Sequence, residues 1–251
     1  MAASVTVRLS KMRIDVYLAE NGIVASRTEA KRFIDEGAVF VNGKQIGKAS
    51  YDVDGSENIT VDKSVKQFVS RGGVKLKGAL SEFGISVADK MCIDIGASSG
   101  GFTDCLLQSG AAHVIAVDSG SGQLAEVLRK DPRVTVFENY NARYMKSSDF
   151  AYAPQLAVMD VSFISATYII PSIYGILCEG GEFVCLIKPQ FEVGRQGLGK
   201  GGIVKDSKAR DLAVKKVLDN AVSVGFTVKG TVQSSIKGGD GNIEFLAHFV
   251  K

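Results

Sequence analysis

Asp160 and Lys188 each close an apolar run, Leu156-Ala-Val-Met-Asp160-Val-Ser-Phe and Glu182-Phe-Val-Cys-Leu-Ile-Lys188-Pro-Gln-Phe. In a parallel α/β sheet, ligands bind beyond the carboxyl ends of the strands, so residues in these positions meet substrate. A lysine ending a buried strand is costly to keep charged without a partner, which suits it to accept a proton, and Asp160 could pair with it. Glu244 opens a later strand and reaches the same rim if that strand returns antiparallel; taken alone it reads nearly as well as half of a structural ion pair or a solvated strand end. Further upstream, Met91-Cys-Ile-Asp-Ile-Gly-Ala-Ser-Ser-Gly-Gly-Phe-Thr-Asp104 reads as strand, glycine loop and helix. Such a loop brings backbone close to a ligand, and the helix start offers free N–H groups. His113-Val-Ile-Ala-Val-Asp118 ends on a second acid about twenty residues on, the spacing from which a carboxylate accepts from ribose hydroxyls. Together they predict an adenosine-containing cofactor contacted by Asp94, Gly96, Ser98, Gly100, Gly101, Phe102, Thr103 and Asp118, with Asn141 near the adenine.

The elements that must position these residues follow from alternation. Strands are predicted over 91–95, 113–117, 134–137, 156–160 and 182–187, then a helix over 207–223 and a terminal pair near 227–235 and 243–250. This pattern predicts an α/β doubly wound sheet, with Lys237-Gly-Gly-Asp-Gly-Asn242 turning the last two strands antiparallel. Such a sheet is similar to the Rossmann-like fold of class I S-adenosylmethionine-dependent methyltransferases, which implies S-adenosylmethionine as cofactor. What attacks the methyl group then separates the subclasses. Cytosine C5 chemistry needs a cysteine nucleophile, usually beside proline, and none of Cys92, Cys105, Cys178 and Cys185 follows one. Enzymes acting on exocyclic amines commonly show Asp/Asn-Pro-Pro-aromatic, where this chain has Asp160-Val-Ser-Phe163. A ribose hydroxyl is a poor nucleophile and requires a base with carboxylates around it, which suits lysines and acids.

A small α+β domain is expected ahead of this sheet, over 1–65 with its core at about 12–62, followed by a linker over 66–74 and the larger domain over 75–251. A short helix carries Ile14, Tyr17 and Leu18 and stops at Asn21-Gly22. Ser26-Arg-Thr-Glu29 is a capping box opening a second helix, with Ala30, Phe33 and Ile34 as its core face and Gly37 as its stop. Asn42-Gly43 predicts a type I′ hairpin between Ala38–Val41 and Lys44–Ile46, and Ile59–Val61 a further strand. The pattern Arg13-Ile-Asp-x-x-Leu18, Ser26-Arg-x-x-Ala30-Lys-x-x-Ile34, Gly37-x-Val39-x-Val41-Asn-Gly-Lys44 resembles the RNA-binding domain of ribosomal protein S4. The resemblance implies that Arg27, Lys31, Arg32 and Lys44 face phosphates, and Arg13 is placed with them.

Over nearly the whole chain, Ser70-Arg-Gly-Gly-Val-Lys-Leu76, Asp94-Ile-Gly-x-x-x-Gly-Gly-Phe-Thr103, Asp160-Val-Ser-Phe163, Lys188-Pro-Gln-Phe-Glu192 and Gly201-Gly-Ile-Val-Lys-Asp206 resemble the TlyA-type family. Its members are ribosomal RNA (cytidine-2′-O)-methyltransferases, often labelled haemolysins, with a larger domain similar to the FtsJ-type enzymes. The resemblance implies a catalytic tetrad of Lys75, Asp160, Lys188 and Glu244, with Lys188 as base or proton relay and Lys75 holding the ribose or a phosphate. Lys77 stands two residues from Lys75, so the first member rests on the Ser-Arg-Gly-x-x-Lys-Leu pattern. Arg71 and Arg195 are added to the RNA contacts; the glycine-rich run around Arg195 reads either as a wrap for cofactor or RNA or as a mobile loop.

Bulk properties leave these readings standing. A net charge of +3 over 251 residues names no partner by itself, so ribosomal RNA, its subunits or the ribosome are expected from where the basic residues fall. No metal is expected, since the cysteines lack metal-type spacing, and reduced thiols indicate the cytoplasm. Residues 164–177 are too short and polar to span a bilayer, so no membrane is expected. Met1–Lys11 lacks the features of a signal peptide and reads as a tag remnant or a first strand. Three alternatives share parts of this pattern: a nicotinamide oxidoreductase, a non-catalytic RNA-binding or ribosome-assembly factor, and a haemolysin or cytolysin.

Overall fold

The computed structural model describes residues 11–35, 37–62 and 68–251. Met1–Ser10, read as a tag remnant or strand, lie outside the described residues, as do 66–67 of the expected linker. The chain divides into two compact units, Met1–Gln67 and Phe68–Lys251.

In the first unit, α1 (Ile14–Glu20) buries Ile14 and Leu18 against α2 (Arg27–Asp35), which contributes Ala30, Phe33 and Ile34. Ser26 Oγ accepts from the Glu29 N–H at 3.1 Å, while the Glu29 carboxylate reaches past Ser26 to the Ala25 N–H at 2.7 Å. The cap therefore closes one residue earlier than a capping box does. β1 (Met12–Arg13) and β4 (Asp52–Val53) form an antiparallel pair the sequence pattern does not announce, too short to show alternation. β3 (Lys44–Gln45), β2 (Val39–Val41) and β5 (Ile59–Val61) form the expected three-stranded sheet. Asn42 and Gly43 take positive φ of 49° and 77°, as a type I′ turn requires.

The second unit is a seven-stranded sheet. Its strands are β6 (Met91–Ile95), β7 (His113–Val117), β8 (Val134–Phe137), β9 (Leu156–Met159), β10 (Glu182–Ile187), β11 (Thr227–Gln233) and β12 (Phe245–Val250), in the order β11-β12-β10-β9-β6-β7-β8. β6 to β10 run parallel, and β12 is antiparallel to both its neighbours. The central strands are buried on both faces, so alternate residues feed two cores. Ile93, Met159 and Phe183 pack towards α6 (Ile170–Ile176) and α7 (Ser207–Val224). Cys92, Val158 and Val184 pack towards α3 (Arg71–Phe83) and α4 (Gly101–Gln108). A short α5 (Glu126–Arg129) precedes β8. Residues 71–74, expected in a connection, form the first turn of α3. There the close approach of Gly101 to Ser70 and Gly73 packs the starts of α3 and α4 together.

Candidate functional site

The sheet reverses direction of travel between β6 and β9, where a doubly wound fold opens its ligand crevice. Register places the candidate residues along that rim. Ile95 pairs with Met159, so Gly96 and Asp160 are the next residues outward; Ile187 pairs with Phe245, so Lys188 and Glu244 follow in the same way. Asp118 ends β7 beside them.

A cleft of about 460 Å³ lies at this switch point, lined by Gly96, Ser98, Asp118, Gln123, Asn141 and Asp160 among others. A side chamber of about 180 Å³ shares Gly96, Ser98, Asp160 and Ser162 with it and adds Lys188, Gly101 and Phe102. Gly96 has φ +83°, and a Cβ there would stand 2.4 Å from the Asp160 carbonyl oxygen, so only glycine lets the two strand ends meet. Asp118 accepts from the Ser98 and Gly120 N–H groups, both at 2.7 Å, which fixes its carboxylate at the cleft wall. Asn141 caps the turn Ala142–Tyr144 by accepting from the Arg143 N–H at 3.1 Å, and it lines the cleft.

Asp94, Gly100 and Thr103, expected at the cofactor, line neither chamber. The period-two alternation of β6 sends Asp94 to the α4 face, where Thr103 Oγ1 donates to its Oδ2 at 2.6 Å. Gly100 backs onto Leu124 and Leu128, where a Cβ would come within 2.3 Å of the Leu128 side chain. These three brace the loop from behind. Asp94 Oδ1 is left buried without a partner. Burial pushes the Asp94 carboxyl up to about 7, opposed by the Thr103 hydrogen bond and reinforced by the charges of Asp160 and Asp118. Between its ordinary value of 3.8 and about 7 the folded chain keeps a proton that the unfolded chain has lost. The Asp94 contribution to stability therefore falls as pH rises through that window. Thermal melting of the unliganded protein from pH 4 to 8 is expected to show this loss, and Asp94→Asn to flatten it; an equal slope in the variant would refute the assignment.

The four tetrad candidates form two ion pairs. Lys188 Nζ lies 2.6 Å from Asp160 Oδ1, a contact of charge rather than of hydrogen-bond geometry, and donates to Ser162 Oγ at 2.7 Å. Lys75 Nζ donates to Glu244 Oε2 at 2.5 Å, with the two side chains 9% and 2% exposed. Lys77 is exposed, so of the two lysines in α3 it is Lys75 that meets Glu244. Phe163, with φ +65° and 92% exposed, stands on the cleft rim against Phe191, their rings 5.3 Å apart. Burial pushes the Cys92 and Cys105 thiols up to about 12, which removes both as nucleophiles near neutrality.

The expected RNA contacts divide. Lys31 and Lys44 are exposed. Arg13 donates through Nε to Asp15 at 2.9 Å and Arg27 to the same carboxylate at 3.3 Å, so two guanidinium groups share one fully buried acid. Burial alone would raise the Asp15 carboxyl, but hydrogen bonds from Arg13 and Arg27 outweigh it and hold the acid below the usual range. Arg32 bridges to Glu29 at 3.1 Å and covers the Phe33 ring. Arg71, expected to meet RNA, donates to the Lys237 carbonyl at 2.5 Å, because the first turn of α3 places it against the loop leading to Glu244. Arg195 falls in the short turn Arg195–Gly197, and its side chain lies outside the described residues. Nearby, Asn242 donates to the Gly202 carbonyl at 3.1 Å and accepts from the Val204 N–H at 2.9 Å. That clamp had no signal in the sequence beyond its place in a glycine-rich turn.

Residues 68–251 match the FtsJ-like methyltransferase family and residues 12–59 the S4 domain. The chain is 46% identical to hemolysin A of Brachyspira hyodysenteriae, over 95% of this chain and 100% of that one. It is 41% identical to the 16S/23S rRNA (cytidine-2′-O)-methyltransferase TlyA of Mycobacterium tuberculosis, over 94% of this chain and 88% of the relative. A solved structure described as a hemolysin from Streptococcus thermophilus superposes with a TM-score of 0.74 at 45% identity, covering 97% of this chain and 89% of that one.

Proposed function

Since the chain belongs to the FtsJ-like methyltransferase family and carries an S4 domain ahead of it, we propose that it methylates a ribose 2′-hydroxyl of ribosomal RNA, with S-adenosylmethionine as donor. The observation that carries this reading is the position of Lys188. Its amine, flanked by Asp160 and Ser162, faces a chamber that opens through Gly96 and Ser98 into the cleft walled by Asp118.

The residues present fit an adenosyl group. Asp118 offers the carboxylate that ribose hydroxyls need, Gly96 leaves room for close approach, and the buried, unpartnered Asp94 Oδ1 lies behind the loop that would hold the cofactor. When bound, S-adenosylmethionine supplies a methyl group on a sulfonium, electrophilic enough for an oxygen nucleophile. Lys188 is placed to take the proton of the attacking hydroxyl, with Asp160 and Ser162 holding its amine at the chamber. Phe163 offers an unstacked base an aromatic face at the rim. Lys31 and Lys44 supply sequence-independent attraction for phosphates in the first unit. Ribosomal RNA, on its own or within a subunit or ribosome, is the proposed partner, and the cytoplasm the proposed place of reaction.

Incubating ribosomal subunits with the protein and S-adenosylmethionine is expected to leave one phosphodiester resistant to alkali, because a 2′-O-methyl group removes the hydroxyl that cleaves it. Asp118→Ala is expected to weaken S-adenosylmethionine binding by about 10-fold to 10²-fold, the worth of a charged hydrogen bond. An alkali-labile product, or a cofactor affinity unchanged in Asp118→Ala by calorimetry, would overturn the reading.

A further inference from the structure

Glu192 is an acid whose side chain is only 2% exposed, and the proposed chemistry does not use it. It accepts from Ser165 Oγ at 2.6 Å, from the Ala166 N–H at 2.8 Å and from Lys216 Nζ at 2.9 Å. These partners come from two places: the loop that leaves β9 and the middle of α7. A carboxylate in that setting is retained only where its partners are held in place, since a buried charge without them is costly.

Lys188 and Glu192 stand at the two ends of a single turn. The Phe191 N–H returns to the Lys188 carbonyl at 2.9 Å and the Glu192 N–H to the Pro189 carbonyl at 3.0 Å. Asp160 and Ser165 stand likewise at the two ends of the facing loop. The loops touch at three points: Lys188 against Asp160 and Ser162, Phe191 against Phe163, and Glu192 against Ser165 and Ala166. Of these, only the last is both charged and closed to water, so it is the contact least able to slide. Resting on the methyl-transfer reading above, we propose that Glu192 is a positioning residue. By fixing the Ser165–Ala166 backbone to the turn after β10, it sets the register in which Lys188 Nζ meets Asp160 and faces the acceptor chamber.

Geometry rather than charge is then what Glu192 supplies, and two conservative variants separate these. Glu192→Gln keeps the length, an acceptor for the Ala166 N–H and an amide that can donate to Ser165 Oγ, but loses the charge opposite Lys216. Glu192→Asp keeps the charge, which the long Lys216 side chain can follow, but falls one methylene short of the loop. With the full chain, S-adenosylmethionine and ribosomal subunits, Glu192→Asp is expected to lower kcat by about 10-fold to 10²-fold, the cost of a misplaced catalytic group. KM for RNA and the calorimetric affinity for S-adenosylhomocysteine are expected to stay unchanged, and Glu192→Gln to restore kcat. Ser165→Ala, which removes one of the bonds and no charge, is expected to lower kcat in the same direction and serves where Glu192→Asp fails to fold. Wild-type kcat per folded molecule in Glu192→Asp or Ser165→Ala overturns the proposal, as does a loss in Glu192→Gln equal to that in Glu192→Asp.

A readout without any acceptor keeps this proposal apart from the choice of substrate. In side-chain spectra of nitrogen-15-labelled lysine, the Lys188 resonance, assigned with Lys188→Ala, is expected to shift in Glu192→Asp and hold its place in Glu192→Gln. If the wild-type protein transfers no methyl group to RNA, the functional reading fails. An unmoved Lys188 resonance in Glu192→Asp overturns the positioning role itself.

Discussion

Replacing Lys188 by alanine is expected to lower methyl transfer by a factor of about 10² to 10⁴, the range over which a positioned base accelerates proton removal, while S-adenosylmethionine binding is expected to stay close to normal. The separation follows from geometry. Lys188 lines the side chamber with Ser162 and Asp160, whereas Asp118, the acid proposed to meet the cofactor, lies in the adjoining cleft that Lys188 does not line. Removing the amine leaves the Asp160 side chain without its counter-ion, but at 22% exposure that carboxylate can recruit water, so the fold is expected to survive. Lys188→Arg sharpens the result. An arginine keeps the charge and a contact to Asp160, yet stays protonated at any pH the protein tolerates and cannot take a proton. Slow transfer in both variants, with intact cofactor affinity, assigns Lys188 as the base. A wild-type rate in Lys188→Ala would remove it from the chemistry, and recovery in Lys188→Arg would mean that its charge, not its lone pair, is what the reaction needs.

How much of this site is legible in the sequence depends on what each residue is surrounded by. The four inner parallel strands, β6, β7, β9 and β10, are legible because they are buried on both faces, which forces apolar runs, and the ends of β7, β9 and β10 are legible because a charge closes the run. That rule places Asp118, Asp160 and Lys188 at the rim, where they line the cleft or its side chamber. Asp94 lies inside β6 with Ile95 after it and points away from the cleft, since the strand alternation that decides its face is invisible when both faces are apolar. Glu192 follows an aromatic residue in a turn, a position indistinguishable from a solvated charge until Ser165 and Lys216 are brought to it from 27 and 24 residues away. Arg71 shows the same limit: nothing local to it announces that its guanidinium donates to a carbonyl 166 residues on. Local chemistry is thus readable, and long-range partners are not.

The second large effect is on stability. Glu244→Ala leaves the Lys75 ammonium, whose side chain is 9% exposed, inside the protein with no counter-ion, and breaking a buried pair in this way costs about 3 to 5 kcal/mol. Lys75→Met strands the Glu244 carboxylate, 2% exposed, and is expected to cost a similar amount. The pair joins α3 to the rim residue beside β12, so either single loss loosens the helix that also presents Arg71 to the loop before Glu244. Replacing both charges with apolar side chains of similar volume, as in Lys75→Met with Glu244→Leu, is expected to recover most of the stability, because neither charge is then left unpaired. Denaturant unfolding gives the stabilities, and methyl transfer by the doubly substituted protein decides what the pair is for. A stable protein that no longer transfers methyl groups makes Lys75 and Glu244 part of the chemistry, with Lys75 released from Glu244 to hold the acceptor. A stable protein with the wild-type rate makes the pair a strut between helix and sheet, and leaves Lys188 with Asp160 as the chemically active half of the four.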